Sequence, residues 1–457
     1  MSNGDGSEEL PPSPSIHPSN KVVLMIKSFD LITIKSEIHS DHFRDVFSAL
    51  YGDNNQTLSY QSERYLRLAG LFTKQYPGIG SFRIFSAPGR IEIAGNHTDH
   101  QGGAVVCASV DLDVIAFAAH NDENIIRVKS EGHSSYDVID LSVIEPQESE
   151  KGSSAALIRG VAAGLLKRGF KVGGFDAYTT SNILKGSGLS SSAAFEILIA
   201  TILNSMYNNS CIPPLTLAEV SQFAENKYFG KPSGLMDQCG CSFGGIMTID
   251  FKDKENAKVT PLSVDFSESG YLPVITDTKG DHSDLTGEYA AITEDMKKVA
   301  SFFGEEILSR VDPVVFYRKL ADVSKATGAG AALRAMHFFA DNERVPQQAA
   351  ALSSGDFAKF LTLISESGIS SWTLLRNIFP ASHPERQQVA LGLAASSEYL
   401  RGMGACRVHG GGFAGTIQAF VPKDMLDGYV RKMEELFGQG SCSVVQIRNI
   451  PASEPFA

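Results

Sequence analysis

Gly186-Ser187-Gly188-Leu189-Ser190-Ser191-Ser192-Ala193-Ala194 is the stretch on which the reading of this chain turns. A strand pattern at 174–181 precedes it and a long helical pattern at 192–207 follows, so it is a strand-to-helix turn. Its glycines let the backbone approach an oxyanion and take positive φ where needed. Its serines stand at a helix start, where unpaired amides and the helix dipole favour an anion. An exposed helix N-terminus contributes about 0.3–1 kcal/mol per charge, so other groups must join it to hold a triphosphate. A Walker loop is excluded, because no lysine follows the second glycine. A dinucleotide fingerprint is excluded too, because its third glycine would fall on Ser191. A plain serine cap on a flexible turn is the competing structural reading, and motifs elsewhere decide against it.

Outward from this loop, helical spacing covers 41–77, with Phe43, Val46, Phe47 and Leu50, then Tyr65, Leu66, Leu68 and Leu71. A short strand at 81–86 is expected to stop at Pro88-Gly89, and 104–119 reads as two strands or one long hairpin arm. An amphipathic helix at 154–168 closes on Gly169. The polar, turn-rich stretch 253–270 is the expected domain seam. A strand at 272–276, a helix at 287–303 and four further helical patterns to about residue 401 come next. Two strands then flank Gly410-Gly411-Gly412. Strands and helices mix without a βαβ rhythm, so the class is α+β. The expected organisation is a flexible tail over 1–20, an N-terminal domain over 21–265 and a C-terminal domain over 266–457. A chain of 457 residues exceeds one ordinary core.

The net charge of −12, from 40 basic and 52 acidic residues, argues against a nucleic-acid or anionic-membrane binder. No apolar run reaches the length of a membrane span, and the N-terminus lacks a secretory layout. The six cysteines are scattered without a CxxC pair, which predicts reduced thiols and a cytoplasmic protein. Cys239 and Cys241 read as part of a half-buried loop rather than a metal pair.

Three further stretches carry chemistry. Residues 86–100 read Ser-Ala-Pro-Gly-Arg-Ile-Glu-Ile-Ala-Gly-Asn-His-Thr-Asp-His. Gly234-Leu235-Met236-Asp237-Gln238 and Val408-His409-Gly410-Gly411-Gly412-Phe413-Ala414-Gly415 follow in order. The first resembles the galactokinase signature, in which Pro-Gly-Arg precedes Gly-Glu-His-Thr-Asp-Tyr. The serine loop and the C-terminal glycine loop resemble the other motifs of the galacto-, homoserine, mevalonate and phosphomevalonate kinase superfamily. The resemblance spans most of the chain except the tail.

That resemblance implies a two-domain kinase fold, with a ribosomal-protein-S5-like N-terminal half and a ferredoxin-like C-terminal half. It implies an active site in the cleft between them. ATP is then the co-substrate, Mg2+ the cofactor, and galactose or a related sugar the acceptor at its anomeric hydroxyl. Asp237 matches the catalytic base and Arg90 the arginine that lowers its pKa and stabilises transition-state charge. Gly186, Ser187, Gly188, Leu189, Ser190, Ser191 and Ser192 match the nucleotide loop. Ser192 and Glu225 match the magnesium ligands; a hydroxyl, a carboxylate and waters suit an octahedral ion. Asn96, His97, Thr98, Asp99 and Tyr289 match sugar contacts. Without the motifs, Asp237 would read as a surface carboxylate, Arg90 as a core counter-ion, and His97, His100 and Asp99 as a possible metal set. His409 reads as a structural residue beside the turn.

The chain departs from the pattern where Asn96 replaces the usual Glu and His100 the usual Tyr. An amide can bond a hydroxyl, yet it would not repel an acidic sugar as a carboxylate does. Galactose stays the first expected acceptor, with galacturonate or N-acetylgalactosamine as the alternatives. A non-catalytic galactose sensor on the same fold is the rival of a different class, and the complete serine loop speaks against it. A monomer is the expected state, though no residue signals it.

Overall fold

The computed structural model describes residues 28–134, 136–183, 188–231, 233–253, 257–280 and 285–457. The expected tail at 1–20, and Gly186 and Ser187 of the serine loop, lie outside them. The strands are β1 (Arg83–Ala94), β2 (Ala104–His120), β3 (Ile125–Ser130), β4 (Tyr136–Asp140), β5 (Phe175–Ser181), β6 (Ile246–Asp250), β7 (Lys258–Leu262), β8 (Tyr271–Asp277), β9 (Ala405–Val408), β10 (Thr416–Pro422) and β11 (Cys442–Val444).

The first sheet runs β4-β3-β5-β2-β6-β7, with β1 pairing antiparallel to β2. Its side chains alternate between two cores, as the pleat requires. Ile84, Ile115 and Phe117 pack against the helices Asp41–Tyr51 and Asn55–Gln75 through Phe43, Phe47, Tyr65 and Phe72. Phe85, Ala116 and Ala118 face the opposite core, which includes Ile197 and Ile202 of the helix Ser191–Asn208. Both faces are covered, which is why β2 reads as an almost continuous apolar run. The second sheet, β11-β8-β10-β9, is antiparallel. Val408, Ile417 and Val421 meet the helices Gln388–Leu400 and Leu426–Phe437 on one face, while Phe420 joins Phe360 and Ile364 on the other.

Several expectations change. The strand expected to stop at Pro88-Gly89 continues to Ala94, because the missing N–H of Pro88 falls at a register shift between Pro88 and Arg90. Arg90 therefore sits on a strand, not in a loop. Of the two readings of 104–119, the single long arm is the one found, as the strand Ala104–His120. The expected seam contains β7, which pairs with β6 and so belongs to the first sheet. Between Phe302 and Gln388 there are four α-helices, Pro313–Arg318, Leu320–Thr327, Ala329–Ser353 and Phe357–Ser370, with Gln388–Leu400 the fifth before residue 401. Cys239 and Cys241 are buried in the helix Met236–Ser242 rather than in a loop. Among the described residues no helix is long and apolar enough to cross a membrane.

Candidate active site

Ser190 decides how the serine loop works. It precedes the helix Ser191–Asn208 with φ 58° and ψ 56°, a left-handed conformation rarely held by a residue with a side chain. In that conformation its hydroxyl makes no cap to the helix. Instead it donates to Asp237 Oδ2 at 2.5 Å. The plain-cap reading therefore fails, and the first helix amides are left without a side-chain partner from Ser190.

Asp237 enters from the start of the helix Met236–Ser242 and Arg90 from β1. The guanidinium donates from Nε (2.9 Å) and Nη2 (2.7 Å) to Asp237 Oδ1, and from Nη1 to the Gly188 carbonyl. Burial alone would raise the Asp237 carboxyl, but Arg90 and the Ser190 hydroxyl outweigh it and hold it below the usual carboxylate range. Asp237 is therefore an ionised acceptor at neutral pH. Arg90, Asp237, Lys231 and residues 188–192 line one cavity of about 230 Å³. Gly188, at φ 72°, lies where a Cβ would meet Thr416 Oγ1 at 2.7 Å and His409 Nδ1 at 2.9 Å, so the loop is pressed against the second sheet.

Behind the serines, Ser192 Oγ donates to Glu225 Oε1 at 3.2 Å. Neighbouring ligands of an octahedral ion with bonds of about 2.1 Å stand roughly 3 Å apart, so the pair fits magnesium. Glu225 opens a π-helical turn, Glu225–Phe229, and is buried. Gln238 Nε2 bridges its Oε2 (2.9 Å) to Glu196 Oε2 (3.2 Å). Burial, and then the Glu225 charge, push the Glu196 carboxyl well above its usual range. Lys231 Nζ donates to Glu225 Oε1 at 2.9 Å.

The turn after β1 is a second constellation. Asp99 is pushed up to about 6, by burial first and then by the Glu92 charge. Its Oδ2 lies 2.6 Å from where a Cβ on Gly234 would stand, so a side chain there would push the Asp99 carboxylate aside. His97 Nε2 meets the Gly411 carbonyl at 3.0 Å and must carry the proton. His97 Nδ1 then accepts from His100 Nε2 (3.4 Å), and His100 Nδ1 accepts from Gln101 Nε2 (3.3 Å). Burial lowers the two histidines to about 4 and about 3, so both rings are neutral. Tyr289 donates to the Gly412 carbonyl at 3.0 Å, its ring lying over Gly411 and edge-on to Phe413.

Asn96 and Thr98 do not offer their side chains to a ligand, contrary to the sequence expectation. Both are 0 % exposed. Thr98 Oγ1 bonds the Gly95 and Ala104 carbonyls. Asn96 Nδ2 donates to Glu92 Oε1 (3.1 Å) and the Gly410 carbonyl (2.6 Å). Its Oδ1 accepts from Asn377 Nδ2 (2.9 Å) and Ser371 Oγ (3.3 Å). Glu92 is in turn paired with the buried Arg407. His409 accepts the Glu92 N–H at 3.1 Å and donates to Thr416 Oγ1, so it is a buried strap, as its sequence context implied.

Residues 152–245 match the GHMP kinases N terminal domain, and residues 70–120 match the galactokinase galactose-binding signature. A galactokinase of Glaesserella parasuis is 31 % identical over 370 residues, covering 79 % of this chain and 90 % of its own length. The chain belongs to the galactokinase family. A second family member, a galactokinase of Streptomyces coelicolor, is 29 % identical and covers 78 % of this chain and 88 % of its own length. Among solved structures, galactokinase of Lactococcus lactis complexed with galactose superposes with a TM-score of 0.67 at 20 % identity, covering 89 % of this chain and 97 % of that one. Mevalonate kinase of Methanococcus jannaschii gives 0.59 at 13 % identity, covering 80 % and 99 %. The fold is thus that of the wider kinase superfamily. Sequence reasoning missed Lys231 and Glu196, since neither lies in a motif the family resemblance assigns a role; Glu196 sits one turn after Ser192 on the same helix.

Proposed function

We propose that this protein transfers the γ-phosphoryl group of ATP to the anomeric hydroxyl of galactose, releasing galactose 1-phosphate and ADP. The observation that carries the reading is the meeting of Arg90, Asp237 and Ser190 on one phosphate-sized cavity beside the Asp99 turn. In the proposed step the anomeric oxygen forms a bond to the γ-phosphorus as the bond to the bridging oxygen breaks. The departing ADP keeps that electron pair, and the hydroxyl proton passes to the Asp237 carboxylate. Arg90 holds Asp237 in line and offsets negative charge near the transferring group, since phosphoryl transfer depends mainly on positioning and electrostatics. The unfilled helix start and residues 188–192 cradle phosphate oxygens. Ser192 and Glu225 would hold Mg2+, which when bound neutralises charge on the β- and γ-phosphoryl oxygens.

Asp99, His97 and Tyr289 are the proposed sugar-side residues. Asn96 does not open the pocket to an acidic sugar, because its amide is buried and saturated by protein partners. The remaining groups favour a neutral sugar: Asp99 and Asp237 are carboxylates, and His97 and His100 are neutral. Phosphorus NMR of the protein with ATP, magnesium and a panel of galactose, galacturonate, N-acetylgalactosamine and mevalonate tests the reading. A sugar 1-phosphate signal with galactose foremost is expected. Preferred turnover of galacturonate, or no sugar-dependent ADP release at all, would overturn it.

A further inference from the structure

The cavity holds a cation that neither the serine loop nor the Pro-Gly-Arg strand supplies. Lys231 lines it beside Arg90, Ser190 and Asp237, and its side chain is 56 % exposed. Arg90, by contrast, is spent on its neighbours: Nε and Nη2 serve Asp237, Nη1 serves the Gly188 carbonyl, and the side chain is 7 % exposed. Its charge is largely matched by that of Asp237. A triphosphate entering between Ser190 and Ser192 therefore meets one solvent-facing ammonium among the described lining residues.

The local chain places that ammonium. The π-helical turn Glu225–Phe229 ends on Gly230 at φ 88°, and the Lys231 N–H closes back onto the Glu225 carbonyl at 3.1 Å. Asn226 Oδ1 accepts the Ser233 N–H at 2.7 Å, and Gln222 Nε2 donates to the Ser233 carbonyl at 3.1 Å. These bonds fix both ends of the short loop that carries Lys231. Its Nζ rests on Glu225 Oε1 at 2.9 Å, next to the Ser192 hydroxyl on the same oxygen. The ammonium thus waits on the carboxylate proposed to take magnesium, with two further N–H donors to spare.

We propose that the Lys231 ammonium is a catalytic cation of this site: it binds the terminal phosphoryl group of the triphosphate, taking the place that a lysine on the loop itself occupies in a Walker loop. The inference rests on the kinase reading above. It explains how a serine loop without a lysine reaches full charge complementarity. It also gives Glu225 a counter-ion in the empty enzyme that is released toward the phosphate when the site fills.

The test is calorimetric titration of the full chain with a non-hydrolysable ATP analogue and with ADP, both in EDTA and without sugar, alongside steady-state kinetics. Lys231→Met should weaken the analogue by roughly 10- to 100-fold, the range of a lost charge-assisted contact. ADP affinity and the sugar KM should stay within about twofold, because neither involves the terminal phosphoryl. kcat should fall by about tenfold or more, and Lys231→Arg should restore most of the analogue affinity. If Lys231→Met bound analogue as tightly as the wild type, or lost analogue and ADP alike, the assignment would fail. Lys231→Gln serves as a second variant if the methionine variant melts early. Sugar-dependent ADP release by the wild type reports on the kinase reading separately, so a failure of one is not mistaken for a failure of the other.

Discussion

At the scale of single residues, the proposed chemistry depends on two carboxylates held in opposite directions. Asp237 lies below the ordinary range because Arg90 and Ser190 outweigh its burial, whereas Asp99 is pushed up to about 6 by burial and Glu92. Asp237→Asn should lower kcat by about 10²–10⁴-fold with the fold intact, the usual loss for a positioned proton acceptor. Circular dichroism together with turnover checks this, and near-normal turnover would remove Asp237 from the role of base. Arg90→Ala removes the largest counterweight to burial and leaves the Ser190 hydroxyl and the Lys231 charge, so the Asp237 pKa must rise. The acid limb of its kcat profile should then move to higher pH by roughly one to three units. Asp99 titrates separately. If its ionised form accepts sugar hydroxyls as proposed, kcat/KM for sugar should fall as pH drops through about 6, while kcat/KM for ATP holds. Parallel decline of both would place the titration elsewhere. These pairs were legible because their residue types sit in motifs. Lys231 was not: it falls between the stretches that carry Glu225 and Asp237 without belonging to either motif, and only folding brings it to the serine loop.

Elements meet at Asn96. Its side chain and backbone tie the turn after β1 to four distant segments: the Asp341 carboxylate and His337 on the helix Ala329–Ser353, the π-helical turn Ser371–Leu375, Asn377, and the glycine loop at Gly410. The loop's own geometry depends on the same groups, since the Phe413 N–H closes onto the Asn377 carbonyl. Asn96→Asp removes both N–H donors and sets a carboxylate against Glu92 and the Gly410 carbonyl. A buried unmet acceptor costs about 1–3 kcal/mol, so kcat/KM for sugar should drop by roughly 10- to 100-fold at neutral pH. Wild-type kcat/KM for sugar in this variant would show that this junction does not shape the site. The direction of the Asn96 side chain was invisible in the sequence because, Glu92 apart, its partners are more than two hundred residues away. Strongly patterned elements were legible for the opposite reason. The helices at 41–51, 55–75 and 191–208 carry their apolar periodicity within themselves, and β2 carries an apolar run. The edge strand β7 was missed because its Lys258-Val259-Thr260-Pro261-Leu262 stretch is mostly exposed and shows no alternation.

Across the whole molecule, one buried charge cluster outside the lining of the phosphate cavity joins three parts of the chain. Asp113, at 0 % exposure on β2, pairs with Arg64 at 2.6 Å from the helix Asn55–Gln75 and with Arg448 at 3.3 Å from the C-terminal segment. Tyr51 and Ser86 hydroxyls complete its shell at 2.7 Å and 2.5 Å. Arg448 continues to the Ile450 and Pro451 carbonyls, and Ser453 pairs with Ser86 of β1, so the end of the chain closes on the first sheet. An ion pair of this kind contributes little over an apolar substitute, but removing one partner strands a charge without solvent. Arg64→Met should therefore lower unfolding stability by about 3–5 kcal/mol, read as a shift in the urea midpoint. The pH dependence has a fixed sign. Burial raises the Asp113 carboxyl, but the two arginines and the hydroxyls outweigh it and hold its pKa below the unfolded value. Its contribution is then present above the ordinary carboxylate range and is lost as pH falls through the folded pKa. With Arg64 gone that pKa rises, so acid unfolding should begin at higher pH than in the wild type. Turnover well below the melting temperature should be unchanged, because no member of the cluster lines the cavity. A variant that melts with the wild type at neutral pH and unfolds at the same acid midpoint would mean that the guanidinium of Arg448 alone suffices to hold Asp113 charged.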